Sequence, residues 1–266
     1  MMGSNNKHTF VICAYKESLF LERCIISLKT QTVKSKIIMV TSTPCDFLSE
    51  MAGKYNIPLY INTGEKGIVQ DWNFGYDQCR TPYVTIAHQD DIYFRDYAKT
   101  AISMMENSRR PLIFFSDYCE IRNEKLTKCN RLLRIKRIML TPLRIRGLRK
   151  NKFVRRRCLS VGNCICCPSV TFAVKNLPNP VFHVRFRSNE DWEAWEKLSK
   201  LNGEFLYCPK ILMGHRIHEE SETSIIIGEN ARGIEDYEMF CKFWPRWIAK
   251  LLVKIYSKSE KSNEIK

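Results

Sequence analysis

The chain has 266 residues, 44% of them hydrophobic and 27% charged, with a formal net charge of +15. That content excludes a chain too polar to bury a core, and the length allows one large α/β domain or one domain with a helical appendage. Lys125 to Arg157 holds fourteen Lys or Arg and no Asp or Glu, so this block alone marks a footprint for an anionic partner: a bilayer surface, a lipid diphosphate or nucleic acid.

Thr9 to Ala14 reads as a first buried strand, followed by a turn at Tyr15-Lys16-Glu17-Ser18. Leu21, Cys24, Ile25 and Leu28 then recur at helical spacing. Lys36 to Thr41 gives a second strand, with a loop over Ser42 to Asp46 and a helix to about Lys54. Pro58 to Asn62 is a short third strand, and Gly64 to Gly67 a turn leading into a helix through Trp72 and Tyr76. Tyr83 to His88 is the fourth strand, Tyr97 to Met105 a helix, and Leu112 to Ser116 a fifth strand. The rhythm breaks after Asp117, where the basic block intrudes with Leu132, Leu133, Ile135, Ile138, Met139 and Leu140 among its charges. Val170 to Val174 resumes as strand, Ser188 to Leu201 as helix and Phe205 to Met213 as strand. Strands alternating with helices predict an α/β fold, a mostly parallel sheet with helices on both faces and right-handed crossovers. The expected division is residues 1–234 as the main domain, with an insertion at 125–157, and 235–266 as a helical segment.

Twelve cysteines lie scattered without framework spacing, and Met1 to His8 is short and polar, so the expectation is reduced thiols in a cytoplasmic protein. Cys164-Ile-Cys166-Cys167 is the one cluster to weigh as a metal site. It lacks a second Cys or His pair at zinc spacing, which favours small buried strand residues. In Phe243 to Tyr256, Arg246, Lys250 and Lys254 form one stripe on a helix, with Trp247, Ile248, Leu251, Leu252 and Ile255 opposite. The stretch is too short and charged to span a bilayer. It is either an amphipathic helix at headgroup level or a helix packed on its own domain.

The fourth strand ends in Asp90-Asp91. Adjacent anions repel unless a cation or a donor network compensates, and open α/β sheets bind ligands at such strand ends. The pair is a ligand set for a divalent cation on a diphosphate, or a capped turn starting a helix near Phe94. Strand alternation would turn the two to opposite faces, leaving one direct ligand.

Five fragments in order resemble the family 2 glycosyltransferases of GT-A fold. They are Phe10-Val-Ile-Cys-Ala-Tyr-Lys-Glu17, Gly67 to Gly75, His88-Gln-Asp-Asp91, Ser188-Asn-Glu-Asp-Trp192 and His215-Arg-Ile-His-Glu-Glu-Ser-Glu-Thr223. The resemblance covers about Lys7 to Ser224 and implies a Rossmann-like GT-A domain. The implied activity moves a sugar from a nucleotide sugar, UDP-sugar favoured, to a glycan or lipid-linked acceptor. It implies a Mn²⁺ or Mg²⁺ cofactor held by Asp90 and Asp91, and Asp191 as base with Glu190 as fallback. Ala14, Tyr15, Glu17 and Thr41 would face the nucleoside, and Gln89 belongs to the metal motif. His88 departs from that motif, standing where the family usually has Asp, and Val40-Thr-Ser-Thr43 lacks the acidic residue often offered to the base.

Several of these residues have a second reading. Asp191 fits a capping box with Ser188 as N-cap. Tyr15 is also a core aromatic at a strand end. Lys66 meets phosphate or is merely solvated, and Asn73 fixes a turn facing the donor or sits on a polar helix face. Arg216 and His218 suit phosphate or metal, His218 being equally a structural histidine. Trp192 and Trp195 stack on an acceptor sugar or pack in the core, packing being favoured for Trp195. One base and no evident nucleophile predict a single displacement with inversion at C1. The basic block and the last helix predict a peripheral position at the inner face of the cytoplasmic membrane, against an anionic surface, as in a bacterial surface-polysaccharide pathway. The rivals are a non-catalytic nucleotide- or lipid-binding relative and a nucleic-acid-binding protein. Against the latter, the block mixes aliphatic rather than aromatic residues among its charges.

Overall fold

The computed structural model of the protein describes residues 7–218 and 232–260, with side chains to Ser257. The chain opens on four strands: β1 (His8–Cys13), β2 (Lys36–Thr41), β3 (Leu59–Ile61) and β4 (Tyr83–His88). They lie in the order β3-β2-β1-β4, all parallel. Phe10, Val11, Ile12, Met39, Val40 and Ile86 are buried, as continuous apolar runs require in strands covered on both faces.

Three helices make the crossovers: α1 (Leu21–Lys29), α2 (Asp46–Tyr55) and α3 (Ile68–Asp77). α1 buries Leu21, Cys24, Ile25 and Leu28, the apolar set that its spacing predicts. α3 lies close on β1 at Gly75, where a Cβ would stand 2.4 Å from Val11 Cγ1. Gly75→Ala is expected to cost about 1–3 kcal/mol by overpacking. The check is a lower urea midpoint at unchanged m-value.

The second half of the sheet is mixed. It contains β5 (Ile92–Tyr93), β6 (Pro111–Arg122), β7 (Lys125–Thr127), β8 (Val170–Ala173) and β9 (Glu204–Ile217). The order continues β4-β8-β6-β9-β5, and β7 forms a hairpin on β6. β8 is antiparallel to both neighbours, whereas β6 and β9 are parallel over most of their length. β6 therefore runs well past the expected end at Ser116. Its buried Asp117 accepts from Arg137 Nε at 2.7 Å, and its buried Glu120 accepts from Arg122 and Asn130. Local partners keep carboxylates inside a strand that reads as a loop. The short β5 pairs with β9 where an immediate helix was one expectation, and α4 (Tyr97–Glu106) follows it.

The basic block folds as α5 (Arg131–Leu140), two 3-10 turns and α6 (Lys152–Leu159). Asn130 caps α5 through the Leu133 N–H, and Asn151 caps α6 through the Val154 N–H. Leu133, Leu140, Leu143 and Leu159 are buried. Part of the block's charge is spent inside the protein. Arg137 meets Asp117, Arg156 meets Glu196, and the buried Arg155 donates to the Leu201 and Gly203 carbonyls. Burial pushes the Arg155 guanidinium down to about 10, still charged at neutral pH.

α7 (Glu190–Leu198), α8 (Arg232–Cys241) and α9 (Arg246–Glu260) complete the chain. Met239, Phe240 and Ala249 share one core with Trp192 and Trp195, so α8 and α9 complete the core of the main domain. In the Cys164–Cys167 cluster Cys164 and Cys167 are buried and Cys166 is half-buried, in a loop and a 3-10 turn rather than a strand. All twelve cysteines are free thiols. No helix among the described residues is long and apolar enough to cross a membrane.

Candidate active site

β4 ends at His88, and the carboxylates sit on the turn that follows, closed by an Asp91 N–H to His88 carbonyl bond of 3.3 Å. Strand alternation therefore does not govern them. β5 pairs with the end of β9, and this brings His215, Arg216 and His218 to the turn. Asp91 is fully buried; its Oδ1 accepts from the Arg216 N–H at 2.8 Å and lies 3.0 Å from His215 Nδ1. Asp90 Oδ2 lies 2.9 Å from His218 Nε2.

The electrostatics of the turn follow from this geometry. Burial opposes ionisation of Asp90, but the His218 hydrogen bond and the fields of His88, His215 and His218 hold its carboxyl below the usual range. Burial likewise opposes charge on His215, yet the Asp91 carboxylate raises its pKa above that of an ordinary imidazole.

His88, Asp90 and Asp91 offer ligand atoms within 4.8 Å of one another, the one such cluster found among the described residues. The His88 ring stacks on Trp72 with centroids 5.6 Å apart and planes 13° apart. Its Nε2 is buried without a hydrogen-bond partner. A buried orphan nitrogen beside an ionised carboxylate fits a divalent cation. Asp91 is already committed to His215 and Arg216, so it braces the turn while His88 and Asp90 offer the open atoms.

The residues expected near the nucleoside gather around β1 and β2. Ala14 is buried and its N–H donates to Val40. Tyr15 is exposed, not a core aromatic, and the Gln89 amide bonds both its N–H and its carbonyl. Gln89 thereby ties the first loop to the acidic turn. Glu17 and Lys66 are exposed. Thr41 is buried, its hydroxyl accepting from the Thr43 N–H. Asn73 spends both ends of its amide on the Phe182 backbone, so its role is to fix that loop. The Arg216 side chain is buried, stacked 4.2 Å from the Phe20 ring centroid, and bonded to the Asp90 carbonyl and Glu124. It positions the turn.

Asp191 lies in the first turn of α7, but the capping-box reading fails. The N-cap is Asn189, without a side-chain cap bond, and the Ser188 hydroxyl donates to Glu235 instead. Asp191 Oδ2 accepts from Asn163 at 2.8 Å and Oδ1 from the Trp192 N–H at 2.6 Å. Burial pushes its carboxyl above the usual range despite these two bonds. Its neighbour Glu190 is buried. Trp192 is buried as well, its indole N–H donating to the Leu159 carbonyl, so it packs rather than stacking on a sugar. Trp195 packs on Phe172, as expected.

Three contributors escape the site residues picked from sequence. His215 lies inside a recognised fragment, and its spacing from His218 was the available signal. Asn163 and Glu124 belong to no pattern; only the fold brings them to Asp191 and Arg216. Glu219 to Thr223 of the last fragment lie outside the described residues.

Parallel strands thus carry a ligand cluster at the end of β4, with the Asp191 carboxylate at the start of α7. Residues 9–171, more than half of the chain, match the model of Glycosyl transferase family 2, and the chain belongs to that family. No curated protein matches the chain. Among solved structures, S. aureus TarS 1–349 in complex with UDP-GlcNAc is 12% identical at a TM-score of 0.62, covering 93% of this chain and 70% of that one. The mannosyltransferase PcManGT from Pyrobaculum calidifontis, in complex with GDP-Man and Mn2+, is 13% identical at 0.61, covering 94% and 71%. At such identities the likeness is one of fold.

Proposed function

We propose that this glycosyltransferase moves one sugar from a nucleotide sugar, UDP-sugar favoured, to a hydroxyl of a glycan or lipid-linked acceptor, with inversion at C1. The observation that carries the reading is the His88–Asp90–Asp91 cluster with its unpartnered imidazole nitrogen at the end of β4. The complexes of TarS with UDP-GlcNAc and of PcManGT with GDP-Man and Mn2+ support the donor class and the metal.

His88 and Asp90 would hold a Mn²⁺ or Mg²⁺ ion, which when bound neutralises the charge that grows on a departing nucleoside diphosphate. Asp91, His215 and Arg216 hold the turn rigid behind those two side chains. Tyr15 and Gln89 fix the loop that borders the nucleoside. Asp191 takes the proton of the acceptor hydroxyl as that oxygen attacks. Asn163 and the Trp192 N–H aim its carboxylate, and the raised pKa makes it a stronger base than an exposed aspartate. An acceptor at the inner face of a bacterial cytoplasmic membrane, in a surface-polysaccharide pathway, agrees with the cations left exposed in the basic block. The nucleic-acid reading is disfavoured because Arg137, Arg155 and Arg156 are spent inside.

The purified protein with Mn²⁺ and a panel of nucleotide sugars is expected to release a nucleoside diphosphate from one donor and to melt higher with it. If every donor leaves both readouts unchanged, the reading is wrong.

A further inference from the structure

α9 carries two neighbouring rows on its outer side. Trp247, Leu251 and Ile255 recur every four residues and are 71%, 55% and 59% exposed. Arg246, Lys250 and Lys254, all exposed, form a second row one residue behind, about 100° around the helix. The packed side is made by Ala249, Leu252, Val253 and Tyr256. The helix therefore has a complete core-facing side and still leaves a large apolar row in water.

Trp244 ties the start of α9 to α6. The Trp244 ring, just before α9, lies 4.5 Å under the Arg157 guanidinium, and its indole N–H donates to the Ser160 carbonyl. Arg157 also covers Phe153, which is 67% exposed. Aromatic side chains thus sit beside cations on α6, as aromatic and aliphatic ones do on α9. Such a mixture suits the boundary between lipid headgroups and acyl chains, where Trp settles and Lys and Arg reach phosphates.

Charge decides among occupants. A second copy packed here by two-fold symmetry would set the Arg246–Lys250–Lys254 row against its own image. Nucleic acid would match the charge and find Trp247 to stack on, but the exposed aliphatic Leu251 and Ile255 would meet no apolar cover on it. An anionic bilayer matches both rows.

The place of this face in the fold gives it a consequence. Tyr256 packs on Trp192 at 5.8 Å between ring centroids, and a Cβ at Gly162 would stand 2.7 Å from the Tyr256 ring. Trp192 adjoins Asp191, and Gly162 adjoins Asn163. The outer face of α9 is one packing layer from the side chains that hold the base.

We propose that α9 with the adjoining face of α6 docks the enzyme on an anionic bilayer. Trp247, Leu251, Ile255 and Phe153 enter the headgroup boundary, and the cationic row meets lipid phosphates. The docked orientation sets the Asp191 side of the site toward the membrane, where a lipid-linked acceptor arrives; this last step rests on the proposed role of Asp191.

The test is flotation of the full chain with phosphatidylcholine vesicles, with and without phosphatidylglycerol. Binding is expected to the anionic vesicles only, to weaken with added salt, and to shift Trp247 emission to the blue. The triple variant Trp247→Glu, Leu251→Glu, Ile255→Glu and the pair Lys250→Glu, Lys254→Glu are each expected to lose flotation by about tenfold or more. Both should keep the wild-type melting temperature and donor turnover. Wild type that stays unbound, floats equally with neutral vesicles, or dimerises through this face would overturn the proposal, as would either folded variant that still floats. Donor turnover without flotation removes the docking face and leaves the enzyme reading; flotation without turnover does the reverse.

Discussion

Asp191→Asn is expected to lower kcat by about 10²–10⁴-fold, the usual yield of a positioned general base, with donor affinity unchanged and the melting temperature raised. The stability half of this result follows from the sign of the pKa shift. Burial raises the Asp191 carboxyl, and the bonds from Asn163 and the Trp192 N–H only partly offset it. A group with a raised folded pKa contributes stability in full below its unfolded pKa and loses it as pH rises through the folded value. Where that carboxyl is ionised, the wild-type protein therefore carries the charge at a cost, and a neutral amide does not. Asn163 Oδ1 has no partner of its own, so a turn of the Asn163 amide would let it accept from the new side chain. Wild-type kcat is expected to fall as pH drops through the raised value, with an acid limb above that of an ordinary aspartate. The stability gap between wild type and variant should close over the same range. Rate–pH profiles and melts at several pH values check both. A variant that keeps its turnover, or melts lower where the wild-type carboxyl is ionised, removes Asp191 as a base with a raised pKa.

The parallel half of the fold could be read from sequence because its strands are apolar and β-branched and its helices carry clean helical spacing. The expected bounds of β2 and β4 coincide with the observed ones. The second half was less legible for a specific reason. Asp117 and Glu120 look like loop residues until Arg137 and Asn130, from the basic block, are seen beside them. A sequence shows the charges of that block but not which are spent internally. The site divides in the same way. Asp90 and Asp91 stood out because they end an apolar run abruptly. Their division of labour did not, because it depends on β5 pairing with β9, and β5 has two residues. Trp192 was ambiguous because a helix-face aromatic reads alike in a core and in a sugar site, and the Leu159 carbonyl decides it.

That division of labour separates two neighbouring substitutions that sequence alone would treat as equivalent. Asp90→Asn is expected to lower Mn²⁺ affinity by at least about 10–100-fold, the loss typical even of removing an outer partner of a metal ligand. Its stability should fall only modestly: the favourable field on the Asp90 carboxylate is lost, but the amide keeps an oxygen or a nitrogen for His218. Asp91→Asn should act through the fold instead. Asp91 has no exposure, and its Oδ1 takes the Arg216 N–H and lies by His215. Weakening the hydrogen bonds to this buried carboxylate costs about 1.5–3 kcal/mol, enough to loosen the β5–β9 contact and to scatter His88 and Asp90. Manganese titration by calorimetry, read beside urea unfolding, tells the two apart. Asp90→Asn should lose the ion at a near-normal urea midpoint, and Asp91→Asn should lose the midpoint first. His88→Ala adds a third measurement: its Nε2 has no protein partner to lose, and a fall in ion affinity at a near-normal urea midpoint, with the Trp72 stacking gone, reports the imidazole's part in holding the ion. Unchanged manganese binding in both Asp90→Asn and His88→Ala would leave the turn a structural corner, braced by β9 and without an ion to hold.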